Sequence, residues 1–142
     1  MDLPGGPPKR GRVLVVDDEP IVGQAIAKVL AREHTVTVRT SPEEALAALA
    51  RGEDYDVIFC DVSMPAMTGP AFHAELERVS PDQAARIVFV TGSASEATSS
   101  LFGSVPNMVL SKPFEARVIR EIAREFAGSR GVPGAAPRET GT

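Results

Sequence analysis

The chain is poor in cysteine and tryptophan and lacks both long apolar runs and an excess of basic residues. It contains one cysteine, Cys60, and no tryptophan among its 142 residues. A single cysteine excludes a disulfide framework within the chain and is typical of a reducing compartment, so we expect a cytoplasmic location. No apolar run approaches the roughly 18 residues that cross a bilayer, and the first residues lack the apolar core of an export signal. The net charge of -4 provides no basic field for nucleic acid. We therefore expect neither a membrane nor a nucleic-acid partner.

Proline and glycine are concentrated at the two ends of the chain. Residues 1–11 and 128–142 lack apolar periodicity, which is typical of flexible tails. The sequence between them has no internal repeat and the composition of an ordinary globular protein, with 43% hydrophobic residues. We predict a single folded domain over residues 12–127, flanked by two tails.

Short apolar runs alternate with helical patterns along this domain. Strands are predicted at residues 12–17, 34–39, 56–61, 86–91 and 108–110. Helices are predicted from Pro20, from the N-cap Ser41 through Leu49, over 69–79 and over 114–126. The Ser- and Thr-rich residues 93–103 predict a short or frayed fourth helix. Five strand-then-helix units indicate an α/β fold, a doubly wound, five-stranded parallel sheet with five helices.

Polar side chains follow the ends of four predicted strands, where open parallel sheets bind their ligands. These residues are Asp17, Asp18, Asp61, Thr91 and Lys112. Three converging carboxylates repel one another unless a hard divalent cation lies among them, and Mg²⁺ prefers such oxygen ligands. A carboxylate nucleophile, a metal, a lysine and a hydroxyl indicate phosphoryl transfer. Taken alone, Asp17 and Asp18 would favour capping of the helix at Pro20. The acid that ends the third strand reverses this preference and favours the site.

Four motifs in order resemble the receiver domains of two-component signalling. The match spans about residues 12–127. The motifs are Val15-Val16-Asp17-Asp18-Glu19-Pro20, Asp61 followed by Met64-Pro65 and Gly69, Thr91-Gly92, and Lys112-Pro113-Phe114. The resemblance implies a sheet in the order 2-1-3-4-5. It also implies phosphorylation by a histidine kinase or histidine phosphotransfer protein, with the signal passed on through contact with a further, unknown protein.

The resemblance also implies a role for each site residue. Asp61 would be the phosphoacceptor, and Thr91 and Lys112 would bind phosphoryl oxygens. The Lys112-Pro113 peptide bond would be cis. The chain would then be no enzyme beyond catalysing its own phosphorylation and dephosphorylation. The implied ligands of Mg²⁺ (or Mn²⁺) are Asp18, Asp61, the backbone carbonyl of Ser63 and, through water, Asp17.

Two features bear on how such a receiver would switch. The family usually has Tyr or Phe three residues before the lysine, and this chain has Val109, which resembles the receivers of hybrid histidine kinases. We therefore expect output without the usual aromatic switch, and we expect residues 93–103 to carry any rearrangement. Ser63 and Ser93 are expected to flank the phosphoryl group and tune its lifetime, and Pro113 is expected to belong with them to the switch and tuning residues.

Three alternatives differ in function class or in context. The chain is equally consistent with a stand-alone regulator and with a receiver excised from a hybrid histidine kinase. A haloacid-dehalogenase-like phosphatase needs a second acid two residues after the nucleophile, where this chain has Ser63. A phosphate-independent pseudo-receiver is disfavoured by the complete set of site residues. Cys60, His34 and His73 lack metal spacing and are predicted to be structural.

Overall fold

Five parallel strands form the centre of the structure. The computed structural model describes residues 10–92 and 107–129. The strands lie side by side in the order β2-β1-β3-β4-β5, which confirms the predicted fold and strand order. In chain order they are β1 (Gly11–Val16), β2 (His34–Arg39), β3 (Val57–Asp61), β4 (Ile87–Thr91) and β5 (Val109–Ser111).

Five helices accompany the sheet within the described residues. They are α1 (Pro20–Leu30), α2 (Pro42–Ala50), α3 (Gly69–Val79), α4 (Pro81–Ala84) and α5 (Ala116–Ser129). The four-residue helix α4 was not predicted, because it is too short to show helical periodicity. The helix predicted over 93–103 lies outside the described residues. None of the helices described is long and apolar enough to cross a bilayer.

Hydrogen-bonding caps explain where two of the helices begin. The Ser41 hydroxyl accepts a hydrogen bond from the Glu44 N–H at 3.2 Å, as predicted for the start of α2. The Thr68 hydroxyl accepts one from the Ala71 N–H at 3.2 Å at the start of α3. Helix α5 begins two residues later than predicted, with the Glu115 carbonyl accepting from the N–H of Val118, and it continues past residue 127 to Ser129.

Alternate residues of each central strand pack into two core layers, one on each face of the sheet. Val13, Val15 and Phe59 lie with α1 and α5. Leu14, Val16, Ile58 and Cys60 lie with α2 and α3. Cys60 is therefore a small buried core residue, as predicted, and burial raises the pKa of its thiol well above the ordinary value.

Gly69, the first residue of α3, packs directly against the end of β3. Its N–H donates a hydrogen bond to the Val62 carbonyl at 2.9 Å. A Cβ at this position would lie 3.0 Å from the backbone oxygen of Asp61, 3.0 Å from Phe89 Cδ1 and 3.1 Å from Val62 Cα. Two of these neighbours are backbone atoms of the strand end, so an added methyl group displaces the segment that carries Asp61.

We expect Gly69→Ala to lower the free energy of unfolding by about 1–2 kcal/mol, because overpacking against backbone outweighs the helix propensity of alanine. Urea denaturation measures the effect. Gly128→Ala is the matched control, since Gly128 lies in α5 and no described atom outside its own stretch of helix lies within 4 Å of its would-be Cβ. This substitution should stabilise slightly. Equal effects of the two substitutions would contradict the close packing at Gly69.

Candidate functional site

Strand pairing brings the predicted site residues to one edge of the sheet. Val16, the last residue of β1, pairs with Cys60 of β3, so Asp17 and Asp61 follow on neighbouring strands. Thr91, the last residue of β4, pairs with Ser111 of β5, directly before Lys112. Because parallel strands place their carboxyl ends together, residues up to 95 positions apart in sequence share one site.

Three carboxylates form a cluster at this edge. One oxygen from each of Asp17, Asp18 and Asp61 lies within 4.8 Å of the others. Asp17 is 2% exposed and Asp61 6% exposed, while Asp18 is half-buried. Among the described residues this is the only group of three or more acids, histidines or cysteines close enough to share a metal ion.

The Asp17 carboxylate is oriented by the backbone and does not cap α1. Its Oδ1 accepts a hydrogen bond from the Glu19 N–H at 2.9 Å. The N-cap of α1 is Glu19, whose side chain makes no capping hydrogen bond. The structure therefore does not support the alternative in which Asp17 and Asp18 cap α1 with their side chains. The contact with Glu19 was not predicted, although the sequence indicates it. An aspartate side chain commonly accepts a hydrogen bond from the N–H two residues later.

Lys112 supplies the positive charge beside the acids. Its Nζ lies 3.8 Å from Asp17 Oδ2 and 3.9 Å from Asp61 Oδ1. The Lys112 N–H donates to the Thr91 carbonyl at 2.7 Å, which holds the lysine at the strand ends. The Lys112-Pro113 peptide bond is cis, as the resemblance implied.

The lysine does not neutralise the cluster. Burial, and then the charge of Asp17, raise the pKa of Asp61 to about 6, although Lys112 and a hydrogen bond from the Ser63 N–H lower it. Burial also raises the pKa of Asp17. These carboxylates therefore carry more negative charge than their surroundings stabilise, and their all-oxygen donor set fits a hard cation such as Mg²⁺.

The remaining predicted residues differ in how deeply they are buried. Thr91 is fully buried at the end of β4. Val109 is partly buried and packs against the core layer beneath α2 and α3. Pro113 is exposed. Ser63 contributes its N–H to Asp61, as described above, and Ser93 lies outside the described residues.

The chain is similar in sequence to proteins of one known family. The chain matches the family model of the response regulator receiver domain over residues 13–124. It is 32% identical over 122 residues to sensor kinase CckA of Brucella abortus, covering 80% of this chain and 12% of that protein. It is 33% identical over 104 residues to transcriptional regulatory protein TcrA of Mycobacterium tuberculosis, covering 72% of this chain and 40% of that protein. The chain thus spans less than half the length of either relative.

Solved structures show the same fold. A response regulator receiver domain protein from Methanospirillum hungatei superposes with a TM-score of 0.74 at 22% identity, covering 87% of this chain and 98% of that one. At this identity the likeness concerns the five-stranded architecture alone.

Proposed function

The chain belongs to the response regulator receiver family of two-component signalling, and from that premise we propose that it accepts a phosphoryl group on Asp61. The observation that carries the proposal is the position of Asp61. It ends a central strand, within 4.8 Å of the carboxylates of Asp17 and Asp18 and 3.9 Å from the Lys112 ammonium. A buried acid among acids and one lysine is suited to take up a dianionic group together with a cation.

We propose that the acidic cluster holds Mg²⁺, or Mn²⁺ in its place. Asp17, Asp18 and Asp61 would hold the ion together with the backbone carbonyl of Ser63. The raised pKa of Asp61 supports this assignment, because a cation would supply the positive charge that the buried carboxylates lack. When bound, the ion would neutralise charge on the transferring phosphoryl group.

In the proposed reaction, a carboxylate oxygen of Asp61 attacks the phosphorus of a phosphohistidine. The new P–O bond forms as the P–N bond breaks, and the electron pair of that bond returns to the imidazole of the donor. Lys112 Nζ would bind one phosphoryl oxygen, and the Thr91 hydroxyl another. The product is an acyl phosphate on Asp61 that adds negative charge at the edge of the sheet.

The proposed donor is a cytoplasmic histidine kinase or histidine phosphotransfer protein, and the proposed output is contact with a protein partner. Val109 in the place of the usual aromatic residue supports an output that does not depend on an inward-turning ring. The similarity to a sensor kinase and to a transcriptional regulatory protein leaves open both a receiver within a hybrid kinase and a separate regulator. We propose no enzymatic activity on other substrates.

Intact mass after incubation with a small phosphodonor and Mg²⁺ tests the proposal. The wild-type protein should gain one phosphoryl group, and the gain should disappear in chelator and in Asp61→Asn. Asp82→Asn is the matched control, because Asp82 is an exposed acid in α4 that pairs with Arg86 at 3.6 Å, and it should be phosphorylated normally. A wild-type protein that gains no mass, or an Asp61→Asn protein that still does, would overturn the assignment.

A further inference from the structure

His34 lies at the end of the sheet opposite the acidic cluster. It is the first residue of β2 and pairs with Gly11, the first residue of β1. Its side chain is 0% exposed. The proposed phosphoryl chemistry makes no use of this histidine, so its contacts need a separate explanation.

The imidazole is held by one hydrogen bond that depends on its protonation state. The Gly11 N–H donates to His34 Nδ1 at 2.9 Å, which requires Nδ1 to carry a lone pair and places the ring proton on Nε2. Nε2 is buried without a hydrogen-bond partner. The nearest acid is Glu33, whose Oε1 lies 4.0 Å from Nε2, beyond hydrogen-bond distance.

The start of β1 is in contact with the end of α5 close to His34. A Cβ on Gly11 would lie 2.8 Å from Ala127 Cβ and 2.9 Å from Asp56 Oδ2, so the first strand and last helix are in close contact. Glu33 accepts two hydrogen bonds from Arg124 of α5, at 2.8 and 2.6 Å. The His34 ring therefore lies between two connections, one to β1 and one, through its neighbour, to α5.

We propose that His34 is an acid-sensitive latch that holds the start of β1 against β2 and the end of α5. Protonation converts Nδ1 from an acceptor into a donor that faces the Gly11 N–H. Two donors cannot share a hydrogen bond, so the imidazolium must break the contact with Gly11 and leave its buried site. Acid would thus loosen the two chain ends that meet at Gly11 and Ala127.

The charged groups around the ring do not reverse this outcome. Burial lowers the pKa of His34, while Glu33 and Asp56 favour the imidazolium and Arg10 and Arg124 oppose it. Glu33 is already bound by Arg124, and Asp56 Oδ2 accepts the Arg12 N–H at 2.7 Å. Both acids already accept hydrogen bonds from other donors, and burial is the largest influence on the ring, so the neutral form is favoured.

The sign of the effect on stability follows from the lowered pKa. The unfolded chain, in which histidine has a pKa of about 6.5, binds more protons than the folded protein below that pH. The contribution of the latch is complete above about pH 6.5 and is lost as the pH falls toward the folded-state value. Asp61 has the opposite slope between about pH 4 and 6, because its pKa is raised. The effect of His34 must therefore be measured as a difference between variants.

Nitrogen-detected NMR of the wild-type imidazole provides the first test. We expect Nδ1 to have the chemical shift of an unprotonated acceptor and Nε2 that of a protonated nitrogen. Titration should shift the Gly11 amide together with the ring. An unprotonated Nε2, or a folded-state His34 that titrates at or above about pH 6.5, would overturn the proposal. This measurement needs no variant.

Urea denaturation from pH 8 to pH 5 provides the second test. His34→Asn replaces Nδ1 with an amide oxygen that accepts the Gly11 N–H and does not titrate. The folding equilibrium constant of wild type should fall relative to this variant, by up to about tenfold per pH unit below about pH 6.5. His73→Asn, at the buried histidine whose ring lies 6.2 Å from that of Phe89, leaves the latch in place and should keep the acid-dependent loss. Parallel pH curves for wild type and His34→Asn would contradict the latch.

Discussion

Asp61→Asn is expected to raise the free energy of unfolding of the metal-free protein at pH 8 by about 2–3 kcal/mol. The pKa of Asp61 is raised from 3.8 to about 6, and each unit corresponds to about 1.4 kcal/mol. Asp61 is almost fully buried, so solvent screening reduces the effect little. The substitution removes the buried charge and its repulsion with Asp17, and it leaves Lys112 paired with Asp17 at 3.8 Å.

The contribution of Asp61 to stability depends on pH in a definite direction. The pKa of Asp61 is raised on folding, so the folded protein binds more protons than the unfolded chain between about pH 4 and 6. The free energy of unfolding therefore falls as the pH rises through that window. The full penalty applies above about pH 6. The advantage of Asp61→Asn should therefore be largest at pH 8 and shrink to well under half at pH 4.5.

Urea denaturation in chelator at the two pH values measures this difference. Glu77→Gln is the control, since Glu77 is an exposed acid on α3, and it should change stability by less than about 0.5 kcal/mol at either pH. An Asp61→Asn protein that is less stable than wild type at pH 8 would show that Asp61 is stabilised in its charged form, contrary to the packing of the acidic cluster. Mg²⁺ should reduce the advantage, because it binds the folded wild type more tightly than the variant.

Lys112→Met is expected to change two properties in opposite directions. Phosphorylation at saturating Mg²⁺ should slow at least tenfold, because the group proposed to bind a phosphoryl oxygen is lost. The affinity for Mg²⁺ should increase about tenfold, because the ammonium, 3.8 and 3.9 Å from the Asp17 and Asp61 carboxylates, no longer competes with the metal for them. A lysine that merely maintained the loop would weaken both properties together.

Isothermal titration with Mg²⁺ and phosphorylation followed by intact mass separate these effects. Lys28→Met is the matched control, because Lys28 is an exposed lysine on α1 and its loss leaves the acidic cluster and its neighbours unchanged. Weaker Mg²⁺ binding by Lys112→Met with an unchanged rate of phosphorylation would be incompatible with the proposed role. A uniform loss of folding is detected by circular dichroism on the same samples.

Sequence patterns were enough to predict the fold class, the strand order (through the family resemblance) and the residues that follow the strand ends. Apolar β-branched runs such as Val13–Val16 and helix starts such as Pro20 and Ser41 are local signals, and they act over a few residues. Asp61 and Lys112 were found because strands of a parallel sheet end together. The short helix α4 was missed because four residues carry too little periodicity to be distinguished from a turn.

The contacts between individual atoms could not be predicted from the sequence, because they depend on the packing of the whole domain. No local pattern specifies that Lys112 Nζ lies 3.8 Å from Asp17, or that the pKa of Asp61 rises to about 6, since both depend on burial and on strands far apart in the chain. The same is true of His34, which looks like any isolated histidine in sequence and accepts a hydrogen bond from Gly11, 23 positions away. Its protonation state is set by burial, by the hydrogen bond from Gly11 and by the charges around the ring. Hydrophobic periodicity is visible in short stretches of sequence, whereas charge interactions and desolvation arise only when distant segments are brought together.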